Sequence, residues 1–341
     1  MKWQVLTMTS NMEDTVQKAH PFLYHYTTSV GLKGILESQQ LRATSIAFLN
    51  DAEEHTGYFD RRLPVLLEEI ATKAVAKIES SSEGLTRINK LGGRTNVIKD
   101  LVKDLGRLLK KGTLGFHKPF VTSFCGSLDK QSADDGLLSQ WRGYGHDGGY
   151  AIVFDSIQME KLLTAESTRF NYLFLTWGDV DYYDHTTESN HRYPETIKAE
   201  QIVEDAIYQY IFDQNPNSFD PIHDAIAMLS CRHKHRGFKE EVEVRIVAIP
   251  PNDDVHEEVI ATGNNIPFKP IEYESRNGIL IPYIELFGKN ELGANAPLPI
   301  VKVIVGPHPD RLRRKISVEG MLKKFNSSAT VTISDIPYIG R

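Results

Sequence analysis

The chain has 341 residues, 40% of them hydrophobic and 25% charged, enough to bury a sizeable core in one large domain or two smaller ones. A formal net charge of −6 argues against a dedicated binder of nucleic acid or anionic membrane, although a local basic groove can sit inside an acidic total, so nucleic acid stays open as a substrate. The two cysteines, Cys125 and Cys231, are far apart and lack metal-type spacing, which argues against a disulfide framework or zinc knuckle and fits a reducing cytoplasm.

The opening MKWQVLTMTSNMEDTV gains acids where a signal peptide would be apolar. No later stretch approaches the roughly 20 apolar residues of a membrane-spanning helix. The expectation is a cytoplasmic protein without membrane contact, with residues 1–19 as an N-terminal extension and 20–341 as a single domain.

In chain order, FLYHYTT (22–28) reads as a strand, and Ser29 can cap a helix through VGLKGILES, where Leu32, Ile35 and Leu36 recur at helical spacing. LRATSIAFL reads as a second strand. Asn50 and Asp51 can cap the next helix, which continues through LPVLLEEIATKAVAKI after a proline kink. ESSSEGL is a polar turn, and TNVIKDLVKDLGRLLKKG an amphipathic helix closing at Gly112. PFVTSFCGS (119–127) and YAIVF are strands around a loop with a short helix that carries Trp141 and Tyr144. A helical insertion is expected at about 190–236, before strands at 241–249, 278–286, 300–306 and 329–334, with a helix between the last two. The sum is an α+β fold with a mixed or antiparallel sheet.

EVEVRIVAI carries the most chemistry. Alternation puts Glu241, Glu243 and Arg245 on one face and Val242, Val244, Ile246 and Ala248 on the other, which is core. Two carboxylates about 7 Å apart along a strand repel. Either Arg245 neutralises them in a solvated salt-bridged edge, or they are a catalytic pair in which one stays ionised and the other orients or deprotonates a nucleophile. His25, between two tyrosines, is likewise open between a packed ring and a ligand group. His233 and His235, two apart in CRHKHRGFK, allow a metal site with a nearby acid or, more simply, a basic patch for phosphates. GHDGG lacks the length and following helix of a dinucleotide-binding loop.

Taken in order, HYT (25–27), TSF (122–124) and EVE (241–243) resemble the three motifs of the ADP-ribosyltransferase superfamily, and the YHYT opening also resembles RNA 2′-phosphotransferases. Phe124 and Cys125 depart from the superfamily pattern where its Ser-Thr-Ser element would place the last serine. Nearly the whole chain, from YHYTTSVGLKGILESQQLRAT to VKVIVGP, is similar to the bacterial domain-of-unknown-function family 2971. That second likeness implies a fold unit and no activity.

The first likeness implies a split sheet, NAD as the substrate and cleavage of its nicotinamide-ribose bond. It implies that Glu243 stabilises the oxocarbenium-like ribose and grips its 2′-hydroxyl, while Glu241 orients the acceptor. It further places His25 on the other ribose, the backbone beside Tyr26 on the nicotinamide amide, Ser123 behind Glu243, and Trp141 or Tyr144 on a ring. Thr27 and Arg245 complete the expected NAD-binding set, and no metal is implied. The acceptor would be a macromolecule, nucleic acid or protein, as in a toxin or phage-defence effector. A non-catalytic nucleotide-binding or regulatory module on the same fold, and a metal-dependent hydrolase, are the alternatives.

Overall fold

Val16 is buried in the main core from a short helix, α1 (Thr15–Ala19), so part of the segment read as an extension packs against the rest of the protein. The computed structural model describes residues 15–49, 56–116, 118–126, 129–145, 148–183, 193–213, 220–251, 266–288 and 297–337. Alternation in β1 (Phe22–Thr27) buries Leu23 on one face and Tyr24 and Tyr26 on the other. Thr28 rather than Ser29 caps α2 (Ser29–Ser38), its hydroxyl accepting from the Gly31 amide at 3.3 Å. β2 (Gln40–Ser45) stops where its pairing with the third strand ends, and residues 46–48 turn into a 3₁₀ helix instead of extending the strand.

The expected caps Asn50 and Asp51 lie outside the described residues. Pro64 does not kink a helix: it sits in the first turn of α3 (Leu63–Glu79), where a missing N–H costs nothing, directly after a π-turn at Tyr58–Arg62. The polar ESSSEGL segment contains a cap, Ser81, whose hydroxyl accepts from Gly84 N at 3.0 Å to start α4 (Ser82–Lys90). α5 (Arg94–Phe116) runs through Gly112. That glycine is there for close approach, since a Cβ would collide with the ring of His223.

β3 (Phe120–Cys125) is followed by two short helices, α6 (Lys130–Asp135) and α7 (Leu138–Tyr144), and then by β4 (Tyr150–Asp155). Asp155 caps α8 (Ser156–Arg169). β5 (Phe174–Asp179) and β6 (Asp181–Tyr183) precede α9 (Pro194–Asp213) and α10 (Asp220–Cys231). β7 (His233–His235) pairs in parallel with β6 as a separate ribbon, so the expected helical segment ends in a strand. β8 (Glu243–Ile249), a hairpin of β9 (Glu272–Arg276) and β10 (Ile279–Phe287), β11 (Ile300–Val305), α11 (Arg311–Lys324) and β12 (Thr330–Ile333) complete the described elements.

The fold is α+β with a mixed, mostly antiparallel sheet; among the described residues β11 and β12 are its one parallel strand pair. Its plan is a fork. One edge of β3 pairs with β8 along its whole length, and β8 pairs onward with β5. The other edge is shared: β2 pairs with it at Phe120 and Val121, and β1 at Cys125. From there the β1-β4-β11-β12 arm and the β2-β10-β9 arm diverge.

α2, α8 and α11 cover one face, packing Leu32, Leu36, Met159 and Val318 against Phe124, Val244 and Ile246. α3, α5, α9 and α10 cover the other, over Val121, Val247 and Ile249, so α9 and α10 share a layer with the earlier helices. Among the described residues no helix is long and apolar enough to cross a membrane.

Candidate functional site at the fork

Where the arms part, side chains take the place of ladder bonds. The His25 ring donates through Nδ1 to the Ser123 carbonyl at 3.1 Å, and the Thr122 hydroxyl donates to the Arg42 carbonyl at 2.8 Å. A carbonyl only accepts, so this bond fixes the proton on Nδ1 and leaves Nε2 as an acceptor. Burial lowers the His25 pKa, against the partial opposition of that bond, and the ring is neutral at pH 7. By strand alternation His25 shares a face with Leu23, and its ring lies 5.8 Å from that of Phe124.

A cavity of about 450 Å³ opens in the fork, within the range of small-molecule sites. His25, Tyr26, Ser123, Glu241, Glu243 and Arg245 all line it, as does Tyr144, which is exposed at the end of α7. The first and third motifs, more than two hundred residues apart in sequence, therefore meet in one place. Two other sequence candidates stand outside. Trp141 is fully buried, donates from Nε1 to the Asp135 carbonyl at 3.0 Å and packs edge-on against Tyr26 at 4.8 Å, so it supports the wall instead of stacking on a ligand. Thr27 is not among the lining residues, and its hydroxyl lies against Gly31. Tyr26 is held from behind by the Leu137 amide, which donates to its hydroxyl at 2.8 Å.

The acid stripe is not a solvated edge. All seven residues of β8 are buried, because β8 is flanked by β3 and β5 and covered on both faces. Glu243 accepts from Arg245 Nε at 2.6 Å and from Lys234 Nζ at 2.9 Å, and the Ser123 hydroxyl also hydrogen-bonds it. Burial pushes its pKa up, but Arg245 and Lys234 outweigh that and hold it at about 2. Arg245 is itself fixed by the Cys231 carbonyl at 2.8 Å, deep in the wall.

Glu241 lies off the strand. It ends a 3₁₀ turn (Arg236–Glu241), and Val242 adopts φ 43°, which breaks the alternation that places Glu241 and Glu243 on one strand face. Both nonetheless reach the cavity, because Lys234 bridges them, donating to Glu241 at 2.8 Å. Burial raises the Glu241 pKa above the ordinary carboxylate value, with Lys234 opposing. Sequence reading missed Lys234. Its signal was the alternation in HKH: His233 and His235 face one way and Lys234 the other.

Arg42, Arg276 and Phe48 also line the cavity from elements outside the motifs, and Phe238 lines it from the turn that Glu241 ends; no pattern in the sequence marked any of the four. His233 is buried, stacks on Tyr183 at 4.2 Å, and is held neutral down to a pKa of about 3, first by burial and then by Arg62 and Arg61. His235 accepts from the Gly237 amide. Among the described residues no three His, Cys, Asp or Glu side chains group as metal ligands.

Fold and cavity together define a forked antiparallel sheet that carries an ion-paired carboxylate, a neutral histidine and a mouth of rings and arginines. A family model described as a protein of unknown function, DUF2971, matches residues 140–246, from α7 through the first half of β8. No curated protein and no solved structure matches the chain.

Proposed function

We propose that the fork binds NAD and cleaves its nicotinamide-ribose bond, passing the ADP-ribosyl group to an acceptor. The observation that carries this reading is the convergence of His25, Ser123 and the Glu241–Glu243 pair on one cavity through the parting of β1 and β2 along β3.

In this mechanism the bond between ribose C1′ and the pyridinium nitrogen breaks, and nicotinamide leaves neutral with the bonding pair. Cationic character grows on the ribose beside Glu243. This carboxylate is held ionised by Arg245 and Lys234, so it presents negative charge without needing to lose a proton. The acceptor X–H attacks C1′ and gives up its proton to Glu241, the more basic of the two acids. His25 Nε2 accepts from a ribose hydroxyl, and the unladdered edge of β1 beyond Tyr24 offers main-chain groups to the carboxamide. Arg42 and Arg276 lie at hand for the diphosphate.

A second reading is favoured by one observation: both oxygens of Glu243 already have cationic partners. A module that holds a nucleotide without cleaving it would have that arrangement. Calorimetric NAD binding together with nicotinamide release separates the two: binding and release support the transferase, binding without release supports the module, and absence of both removes NAD from the account.

A further inference from the structure

The mouth of the cavity is built of rings and cations from separate elements. Phe48 follows β2, Tyr144 ends α7 and Phe238 sits in the turn before β8; their exposures are 39%, 41% and 38%, unusual for apolar rings within one concave surface. Lys234 Nζ lies over the Phe238 ring at 4.6 Å, and Arg42 over Tyr283 at 4.5 Å. Arg42 and Arg276, both about half exposed, converge on Glu274 from β2 and β9.

The lining carries Arg42, Lys234, Arg245 and Arg276 against Glu241 and Glu243, so it remains net positive even when Glu274 is set against the two arginines, on a protein whose total is −6. Exposed rings interleaved with cations are how single strands are held: bases stack on the rings and phosphates meet the cations, without reading sequence. A duplex keeps its bases stacked on each other and cannot use the rings. A folded protein acceptor needs no such ring set.

We infer that the acceptor surface of this site takes single-stranded nucleic acid, an unpaired base or ribose being delivered to the carboxylates between Phe48, Tyr144 and Phe238. The inference rests on the NAD reading for the transfer step only. In that step ribose C1′ loses nicotinamide and bonds to a nucleic-acid oxygen or nitrogen, whose proton passes to Glu241.

The test has two independent readouts on the whole protein. Fluorescence anisotropy with labelled oligonucleotides of about 12 nucleotides, RNA and DNA, single-stranded and duplex, measures the surface without NAD. Single strands are expected to bind at least tenfold tighter than duplexes. The paired change Phe48→Ala and Phe238→Ala is expected to weaken them roughly tenfold or more, while Phe48→Tyr and Phe238→Tyr, which keep the rings, retain binding. The RNA and DNA arms show which strand is preferred.

No binding at low salt, equal binding of duplex, or indifference to the alanine pair overturns the inference. Transfer of label from radiolabelled NAD to protein, with none to nucleic acid, also overturns it. Nicotinamide release is measured separately. Release without strand binding leaves the NAD reading standing and removes this one; strand binding without release does the reverse.

Discussion

Glu243 is both the charge the proposed chemistry needs and a buried member of an ion network, and the two roles predict different results. Glu243→Gln keeps the size and removes the charge, and nicotinamide release is expected to fall at least a hundredfold. Lys234→Met leaves two carboxylates crowded without their bridge, which is expected to cost about 3–5 kcal/mol of unfolding free energy in a urea titration. At the cavity wall, Trp141→Ala is expected to cost about 3–5 kcal/mol in the same titration because it opens a core void, whereas Tyr144→Ala is expected to leave stability within about 0.5 kcal/mol and to weaken NAD binding. Equal stability loss in both would contradict their placement. Alternation along EVEVRIVAI singled out Glu243 and Arg245, the flanking tyrosines singled out His25, and Ser123 came with the motif likeness; all four line the cavity. Sequence reading could not find Arg42 or Arg276, because a charged residue looks the same in sequence whether it faces water or a carboxylate; Lys234 was overlooked although the alternation in HKH sets it opposite His233 and His235.

Among elements, β3 decides the site. Its apolar pattern marked it as a strand, but the sharing of one edge between β1 and β2 is a matter of pairing, which single-strand periodicity does not encode. The same limit hid the β9–β10 hairpin, whose first strand, EYESR, is mostly exposed and lacks a buried face to announce it. The lead into β8 was misplaced for a local reason. Val242 holds φ 43°, a costly conformation for a β-branched residue, and its carbonyl accepts from the Gly126 amide at 2.7 Å. Strain of that kind beside Glu241 fits a functional position. Val242→Gly removes the side-chain penalty and is expected to raise the melting temperature by a few degrees while lowering nicotinamide release several-fold through looser placement of Glu241. Thermal unfolding and the release assay on the same preparation check both signs; a gain in release would contradict a positioning role for the strain.

At the scale of the whole molecule, the buried ionisable groups set the response to acid. His233 has a folded pKa of about 3, below its unfolded value near 6.5, so the unfolded chain binds more protons between these values and stability falls as pH drops from about 6.5 toward 3. Glu243 has a folded pKa of about 2, below its unfolded value of 4.5; its contribution is present above 4.5 and is lost as pH falls toward 2. The urea midpoint is therefore expected to decline in two overlapping stages. His233→Phe flattens the first, from pH 6.5 to 4.5, and Glu243→Gln the second. A midpoint independent of pH over this window would contradict the burial of both groups. The α+β class was legible from the sequence because strand and helix periods are local, while the two-sided helical covering that buries β8 comes from packing between distant segments.

Cleavage of NAD at the fork is tested by nicotinamide release from purified protein, with and without added RNA, DNA and cell lysate. Release by the native protein is expected to be lost in Glu243→Gln and in Glu241→Gln and reduced in His25→Ala, each shown to be folded by its thermal transition. No release under any mixture, or release that persists unchanged when folded variants lack Glu243, would contradict it.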